Sequence, residues 1–342
     1  MAPLTLTVAQ YGTRPTLRET LDLLHTVTID AAGTGTNLLV FPEAFLGGYP
    51  RGQTFGSIIG SRTSEGRDEY YAYWKNAVDL GDTHPEGLGT YTHPGDGTGL
   101  ELEKIARETG VFLVVGLVEK VKGSGSLYCA VIYVDPKKGI VGKRRKVMPT
   151  AAERVIWSVG SPATLKATDI SLASQPITMA SVICWENYHP LIRAALYQQG
   201  VDLYIAPTAD ARPQWQSTVQ HIAMEGRCVV LSCNQFIPPP EDENPAEEEE
   251  EGAPEDAYAK IKGTPGGSVI FGPLGECMAG PLWGEEGVLS VTFEEGEWER
   301  RIVGSRLDFD VGRGGHYGRA DAFKLTVAGL MLGEEKLKEK KK

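Results

Sequence analysis

The sequence predicts an α/β protein in which helices cover the faces of β-sheet. Three observations indicate this class. Short apolar, β-rich runs alternate with amphipathic helical patterns along most of the 342 residues. Apolar residues make up 41% of the chain and charged residues 23%, a balance typical of a globular protein. The longest apolar run, at 111–118, falls far below the ~18 residues that a membrane-spanning helix needs.

The N-terminal part of the chain predicts a strand, a helix and a second strand. Residues 4–10 form an apolar run typical of a strand, and 17–32 carry the spacing of an amphipathic helix. The strand at 37–41 ends at Pro42, because proline has no N–H to donate to a neighbouring strand. The Gly- and Tyr-rich region at 47–97 supports no assignment.

The same alternation continues to the C-terminal part. Glycine and proline clusters between the apolar runs mark the turns. Further strands are predicted at 111–118, 127–134, 140–143, 177–184, 202–206, 228–234, 267–271 and 287–293, and further helices at 98–109, 190–200 and 214–226. No repeat with a period of 20–50 residues is visible. We therefore expect one domain over 1–330.

The acidic charge of the chain is concentrated in one segment. Of the net charge of −11, residues 238–262 contribute −8, which leaves −3 for the rest. This segment has almost no apolar residues, so we expect a disordered acidic loop on the surface, and 331–342 read as a charged tail. The body carries no basic patch for nucleic acid. Recruitment of a partner by the acidic loop is the less favoured interpretation.

The cysteines and the N-terminus predict a cytoplasmic protein. Five scattered cysteines are too few for a disulfide framework, and an odd number leaves at least one thiol free. The N-terminal residues lack the basic and apolar regions of a secretory signal. Six histidines show no metal-ligand spacing, so we expect no metal. Because the apolar runs are short, we also expect no membrane partner.

Three reactive residues follow apolar strands. Glu43 comes after the strand at 37–41, Lys146 closes the basic run 143–146, and Cys184 ends the strand at 177–184. Sites in α/β proteins collect beyond strand ends. Taken singly, each has a simpler interpretation: a core cysteine, an ion-pair carboxylate and a solvated lysine. Together they are the groups needed for covalent attack on a carbon–nitrogen bond, because a thiol needs a base and a nearby cation.

Longer motifs carry a resemblance to a known family. The chain closely resembles the nitrilase branch of the carbon–nitrogen hydrolase superfamily in FPEAFLGGYPRG (41–52), KRRKVMPTAAERVIW (143–157), ICWENYHPLIRAALYQQGVDLYIAPTADAR (183–212), HIAMEGRCVVLSCNQF (221–236) and GGSVIFGPLGECMAGPLWGEEGVL (266–289). The resemblance implies a catalytic triad of Glu43, Lys146 and Cys184.

The same resemblance implies further site residues and an assembly. Glu153 matches a second, supporting glutamate of the family. Trp185, His189 and Tyr49 are expected at the substrate. The implied fold is a four-layer α-β-β-α sandwich that pairs into an eight-layer dimer and extends into a helical filament. No cofactor is implied.

The resemblance implies a nitrilase that converts an organic nitrile to the carboxylic acid and ammonia. Four alternatives stay open: an amidase or a cyanide hydratase with the same triad, a Cys–His hydrolase that uses His189, and a silent scaffold that recruits partners through its acidic loop. The presence of all three triad residues argues against the scaffold.

Overall fold

Two β-sheets face each other at the centre of the structure, a computed structural model that describes residues 2–81, 95–239, 263–312, 314–319 and 321–330. The strands are β1 (Leu4–Gln10), β2 (Leu38–Val40), β3 (Ser57–Ile58), β4 (Ser61–Arg62), β5 (Phe112–Lys120), β6 (Leu127–Asp135), β7 (Gly139–Arg145), β8 (Thr168–Leu172), β9 (Gln175–Ser181), β10 (Leu203–Thr208), β11 (Val229–Asn234), β12 (Phe236–Ile237), β13 (Thr264–Phe271), β14 (Cys277–Trp283) and β15 (Gly287–Phe293). The α-helices are α1 (Leu17–Gly33), α2 (Ser64–Asn76), α3 (Thr98–Thr109), α4 (Pro190–Tyr197), α5 (Pro213–Gly226) and α6 (Glu297–Ser305).

Both sheets mix parallel and antiparallel pairs. The first has the order β15-β1-β2-β5-β6-β7, and the second has β12-β13-β11-β10-β9-β8 with β14 beside β13. Strands β1, β2 and β5 are parallel, and so are β9, β10 and β11. Parallel neighbours need crossover connections, which the helices supply. The carboxyl ends of these parallel strands position the candidate site.

Local sequence signals explain where the helices begin and end. Thr16 and Glu19 form a capping box at the start of α1, in which each side chain bonds the other residue's backbone N–H. Helix α3 ends at Gly110, whose φ of +74° places it in the left-handed region that glycine adopts without a Cβ clash.

Hydrophobic side chains divide the structure into four layers. Alternate residues of β1 and β9, such as Leu6 and Met179, are buried between the two sheets. The outer face of the first sheet is covered by α1 and α3, for example through Leu24 and Ile105. The outer face of the second sheet is covered by α4 and α5. The layer order is therefore α-β-β-α, in agreement with the predicted α/β class.

The structure differs from the sequence-based prediction in a few elements. The strand predicted at 177–184 ends at Ser181, and Cys184 begins a 3₁₀ turn. The sequence did not predict helices α2 and α6 or strands β3, β4, β8, β12 and β14. In helix α2 only Gly66 is fully buried, and the helix packs on the core through the half-buried aromatic side chains of Tyr70, Tyr73 and Trp74 instead of an aliphatic stripe. The acidic loop, apart from residues 238–239, and the tail at 331–342 lie outside the described residues. Within the described ranges, no helix has both the length and the apolar character needed to cross a membrane.

Candidate active site

The basic run 143–146 is buried, contrary to its appearance as a solvated patch. Its four side chains alternate between the two faces of the strand end. On the outer face, Lys143 and Arg145 both bind Glu119, at 2.7 Å each. Arg144 and Lys146 face the other sheet. A buried cation is stable only with a paired charge, and each of these four has a carboxylate partner.

Lys146 forms ion pairs with two glutamates, Glu43 and Glu153, that lie far from each other in the sequence. Its Nζ lies 2.8 Å from Glu43 Oε1 and 2.8 Å from Glu153 Oε2. Glu153 is held in turn by the backbone N–H of Thr150 at 2.8 Å and by the hydroxyl of Tyr49 at 2.8 Å. Burial alone would lower the pKa of Lys146, but Glu43, Cys184 and Glu153 outweigh it and raise that pKa well above its usual range. Lys146 is therefore a fixed cation.

Glu43 is fully buried and has one oxygen free to accept a proton. Its Oε1 accepts from Lys146 and, at 3.5 Å, from the thiol of Cys129, while its backbone carbonyl accepts from Gln235 Nε2 at 3.0 Å. Its Oε2 has no hydrogen-bond partner among the described residues. Burial raises the pKa of Glu43; Glu153 raises it further, whereas Lys146 opposes both. A buried acceptor without a partner is rare in a resting protein and typical of a reactive group.

Cys184 stands on a strained turn just after β9. Its φ is +50°, a region that non-glycine residues avoid and that costs of order 1–3 kcal/mol. The amide of Asn187 holds the turn by donating to the carbonyls of Val182, at 2.9 Å, and Cys184, at 2.7 Å. Tyr204 then donates to Asn187 Oδ1 at 2.8 Å. These hydrogen bonds fix the backbone of the turn and therefore the orientation of the Cys184 side chain.

The thiol of Cys184 is protonated at rest. Burial raises its pKa well above the usual range, Glu43 adds to that rise and Lys146 opposes it. The sulfur also accepts a hydrogen bond from the hydroxyl of Thr208 at 3.2 Å. A thiol of raised pKa attacks only if a base removes its proton as the new bond forms. The free oxygen of the neighbouring carboxylate can do this.

A cavity of about 390 Å³ opens over the sulfur. Cys184 and Glu153 lie at its wall, and Tyr49 and Trp185 supply aromatic surface. The indole Nε1 of Trp185 donates to Asp210 Oδ2 at 2.8 Å, which fixes the ring. Such a cavity, mostly apolar with a few polar groups at its base, suits a small organic molecule.

The structure brings together most of the residues that the sequence singled out. Hydrogen bonds join Glu43, Lys146 and Glu153, and Cys184 interacts electrostatically with all three. Tyr49 and Trp185 lie beside them at the cavity. His189 is not among the residues that line the cavity. It precedes α4, and its Nδ1 is buried without a hydrogen-bond partner among the described residues. Among the described residues, no group of three or more His, Cys, Asp or Glu side chains is arranged to hold a metal ion.

The sequence did not predict three of the residues that contact this cluster. Cys129 and Gln235 touch Glu43, and Thr208 touches Cys184. Thr208 is the last residue of β10, so the strand-end argument that selected Cys184 applies equally to it. Cys129 lies inside β6 and resembles any core cysteine, so no sequence signal marks it.

Comparisons with known proteins agree with this geometry. The profile of the carbon-nitrogen hydrolase family matches residues 5–301. An arylacetonitrilase of Trametes versicolor is 42% identical over 91% of this chain and 92% of its own. An aliphatic nitrilase of Sinorhizobium fredii is 39% identical over 91% of this chain and 90% of its own. A bifunctional nitrilase/nitrile hydratase of Nicotiana tabacum is 40% identical over 87% of this chain and 78% of its own.

The fold also matches solved structures. The crystal structure of an amidase from Nesterenkonia sp. superposes with a TM-score of 0.60 at 19% identity, covering 90% of this chain and 97% of the amidase. At that identity the match concerns the fold. The family profile covers most of the chain, and the relatives near 40% identity span almost all of it. The chain therefore belongs to the carbon–nitrogen hydrolase family.

Proposed function

We propose that this protein is a nitrilase that converts an organic nitrile and two waters to a carboxylic acid and ammonia. The observation that carries the proposal is the buried contact of Lys146 Nζ with both Glu43 and Glu153, beside the Cys184 thiol at the base of the cavity. The relatives named nitrilase and arylacetonitrilase support it. In the steps below, the reacting groups of the protein are the side chains of Cys184, Glu43 and Lys146.

In the first step Cys184 attacks the nitrile carbon. The S–C bond forms as the S–H proton passes to Glu43 Oε2, and one π-electron pair of the C≡N bond moves to nitrogen. Glu43 then returns the proton to nitrogen, which gives a neutral thioimidate. Lys146 stabilises the negative charge that develops, and the backbone N–H of Trp185 is a candidate second donor.

In the second step water replaces nitrogen. Glu43 accepts a proton from the attacking water and passes it to the imine nitrogen, which gives a tetrahedral intermediate that carries OH, NH₂ and the Cys184 sulfur. When Glu43 then transfers the hydroxyl proton of this intermediate to the nitrogen, the C–N bond breaks, ammonia leaves and a thioester remains. A second water, activated in the same way, releases the acid and restores the thiol.

Glu153 and Tyr49 position the cation. Glu153 fixes Lys146 Nζ at 2.8 Å, and the Tyr49 hydroxyl fixes Glu153 at 2.8 Å while its ring faces the cavity. Trp185 contributes a second aromatic surface to the cavity. Glu153→Gln should slow turnover and raise the share of amide, because a less well held cation stabilises the intermediate less.

Release of the amide is the second candidate outcome of the same intermediate. If nitrogen is not protonated, sulfur leaves instead and the amide is the product. The relative from Nicotiana tabacum is named a bifunctional nitrilase/nitrile hydratase, which favours keeping this outcome in the test. Because burial raises the pKa of Glu43, a proton is available to nitrogen, and we expect acid as the main product with a minor amide fraction.

The test is a product analysis on aliphatic, aromatic and arylacetic nitriles, cyanide and the matching amides. Acid, amide and ammonia are quantified by chromatography. A nitrilase gives equal acid and ammonia from at least one nitrile. Rapid hydrolysis of amides without attack on any nitrile would make the protein an amidase, and amide as the dominant product throughout would make it a hydratase. Cys184→Ala is the blank.

We also propose a homodimer, extended into a helical filament, that pairs through the outer helices of the second sheet. Leu191 on α4 and Met224 on α5 are 56% and 45% exposed, and apolar side chains left on neighbouring helices favour a partner surface. Light scattering should give at least the dimer mass. Leu191→Glu with Met224→Glu should lower it, whereas Leu100→Glu on the opposite outer face should not. A fully active monomer at micromolar concentration would contradict the proposal.

We also propose that the protein is cytoplasmic and that residues 1–330 form a single domain. All five cysteines are free thiols, which suits a reducing compartment.

A further inference from the structure

The hydroxyl of Thr208 makes two contacts at the site. Its Oγ1 lies 3.2 Å from Cys184 Sγ and 2.9 Å from the backbone nitrogen of Asp210. Thr208 is completely buried at the end of β10, directly opposite the turn that carries the cysteine. In the described part of the chain, the Thr208 hydroxyl has no other hydrogen-bond partner.

The direction of these bonds follows from the donors available. A backbone N–H only donates, so Thr208 Oγ1 must accept from Asp210. The hydroxyl has a single proton, and its other polar neighbour is the sulfur. A buried hydroxyl proton without an acceptor costs as much as a lost hydrogen bond, so the proton points to Sγ.

A sulfur that accepts from Thr208 has its own proton free to point elsewhere. The Glu43 carboxylate interacts electrostatically with Cys184, and its Oε2 is the oxygen that has no hydrogen-bond partner among the described residues. The hydroxyl therefore does two things: it directs the S–H proton toward Glu43, and it stabilises negative charge on sulfur as that proton leaves. A hydrogen bond strengthens when its acceptor becomes charged.

We propose that Thr208 is a catalytic residue that stabilises the developing thiolate of Cys184. The proposal rests on the proposed function only in taking Cys184 as the nucleophile. In the attack, the S–H bond breaks, its proton goes to Glu43, the S–C bond forms, and Thr208 keeps its own proton throughout. It thus acts on the same charge as Lys146, from the side of the second sheet.

A structural role for Thr208 must be separated from this one, because Asp210 N–H also depends on the hydroxyl. Thr208→Val keeps the shape of the side chain and removes both bonds, whereas Thr208→Ser keeps the hydroxyl. Thr7→Val is the matched control, since Thr7 is a buried threonine whose hydroxyl also makes two bonds, at 2.9 Å to Thr36 and 2.9 Å to Ser290, away from the sulfur.

The readout is the rate at which iodoacetamide alkylates Cys184, mapped by mass spectrometry across pH, together with kcat and KM on a good nitrile. We expect Thr208→Val to lower the alkylation rate and kcat about tenfold, with KM nearly unchanged, because a bond to a charged acceptor is lost. Thr208→Ser should restore both, and Thr7→Val should lower the melting temperature alone.

The alkylation assay needs no nitrile, so it tests Thr208 even if the substrate is an amide. An alkylation rate for Thr208→Val equal to that of the unmodified protein, with a melting temperature lowered as in Thr7→Val, would overturn the proposal and leave Thr208 a purely structural residue. Should Thr208→Val fail to fold, Thr208→Ala removes the hydroxyl without adding a methyl group, and the same two outcomes apply.

Discussion

Arg144 and Glu186 form a buried bidentate ion pair that ties the strand carrying Lys146 to the turn carrying Cys184. Arg144 Nη1 lies 2.7 Å from Glu186 Oε2, and Arg144 Nη2 lies 2.8 Å from Oε1. Glu186 also accepts from the backbone N–H of Ile183 at 2.9 Å and of Val147 at 2.6 Å. One carboxylate thus holds the neighbours of both the proposed cation and the proposed nucleophile. Burial works against the ionised form of Glu186, but Arg144 outweighs it and lowers the pKa.

Breaking this pair should reduce both the stability of the protein and the activity of its folded form. Glu186→Gln leaves Arg144 as a buried charge without its partner, which costs ~3–5 kcal/mol of unfolding free energy. It also weakens the contacts that fix the position of Lys146 relative to Cys184, so kcat of the folded protein should fall at least tenfold. The measurements are urea unfolding and kcat at a temperature where the variant stays folded.

Glu119→Gln is the matched control for that variant. Glu119 is as buried as Glu186 and binds Lys143 and Arg145 on the opposite face of the same strand end. It should lose comparable stability and keep kcat close to that of the unmodified protein. Equal losses of kcat in the two variants would show that stability alone, and not the positioning of the site, explains the effect.

The cysteines should differ sharply in their importance. Cys184→Ala should abolish turnover, because no other group can form the covalent intermediate. Cys228→Ala, Cys233→Ala and Cys277→Ala should keep activity, with packing losses of ~1–3 kcal/mol for the two buried thiols. Mass spectrometry of the enzyme during turnover should show one substrate adduct, on Cys184. An adduct on any other cysteine would refute the assignment.

The pH profile of kcat/KM should be a broad plateau. Lowering the pH protonates Glu43 and removes the base; since burial raises the pKa of Glu43, this acid limb should lie above the usual range of a glutamate. Raising the pH removes the proton that Glu43 and Cys184 share, and the raised pKa of Cys184 should place that limb above the range of a free thiol.

Glu153→Gln tests the cause of the acid limb. Because the charge of Glu153 raises the pKa of Glu43, its removal should move the limb to lower pH, even though turnover falls. A limb that stays in place, or moves upward, would show that Glu43 is not the group that titrates.

The acidic segment should be dispensable for catalysis. Strand β12 pairs with β13 through Phe236 opposite Pro265 and Ile237 opposite Thr264, so the two chain ends that flank the segment already lie side by side. A short Gly/Ser linker in place of 240–258 should therefore leave kcat and the melting temperature nearly unchanged, since loop closure changes by only ~0.6 kcal/mol per doubling of length. Both values are compared with those of the full-length protein.

A variant with the same segment length and glutamine for every glutamate separates charge from length. If both replacements lose activity, or if the shortened chain loses oligomer mass, the segment has a structural role that its composition does not reveal.

Much of this fold and site was readable from the sequence. Hydrophobic periodicity is local, so it located most strands and helices, and Thr98–Thr109 and Gly287–Phe293 were predicted to the residue. The strand-end argument found Glu43 and Cys184 because a reactive side chain directly after a buried strand is a local pattern as well. The family motifs added Glu153.

Only the tertiary structure decided which of these side chains meet. The basic run 143–146 reads as solvated because its carboxylate partners lie elsewhere in the chain: Glu119, Glu186 and Glu43 come from separate elements. Thr208 likewise reaches Cys184 from a neighbouring strand. Sequence determined the residue types and the strands that carry them, since those depend on near neighbours. The pairing of buried charges and the direction of single protons depend on the register and spacing of two facing sheets, and those arise only from long-range packing.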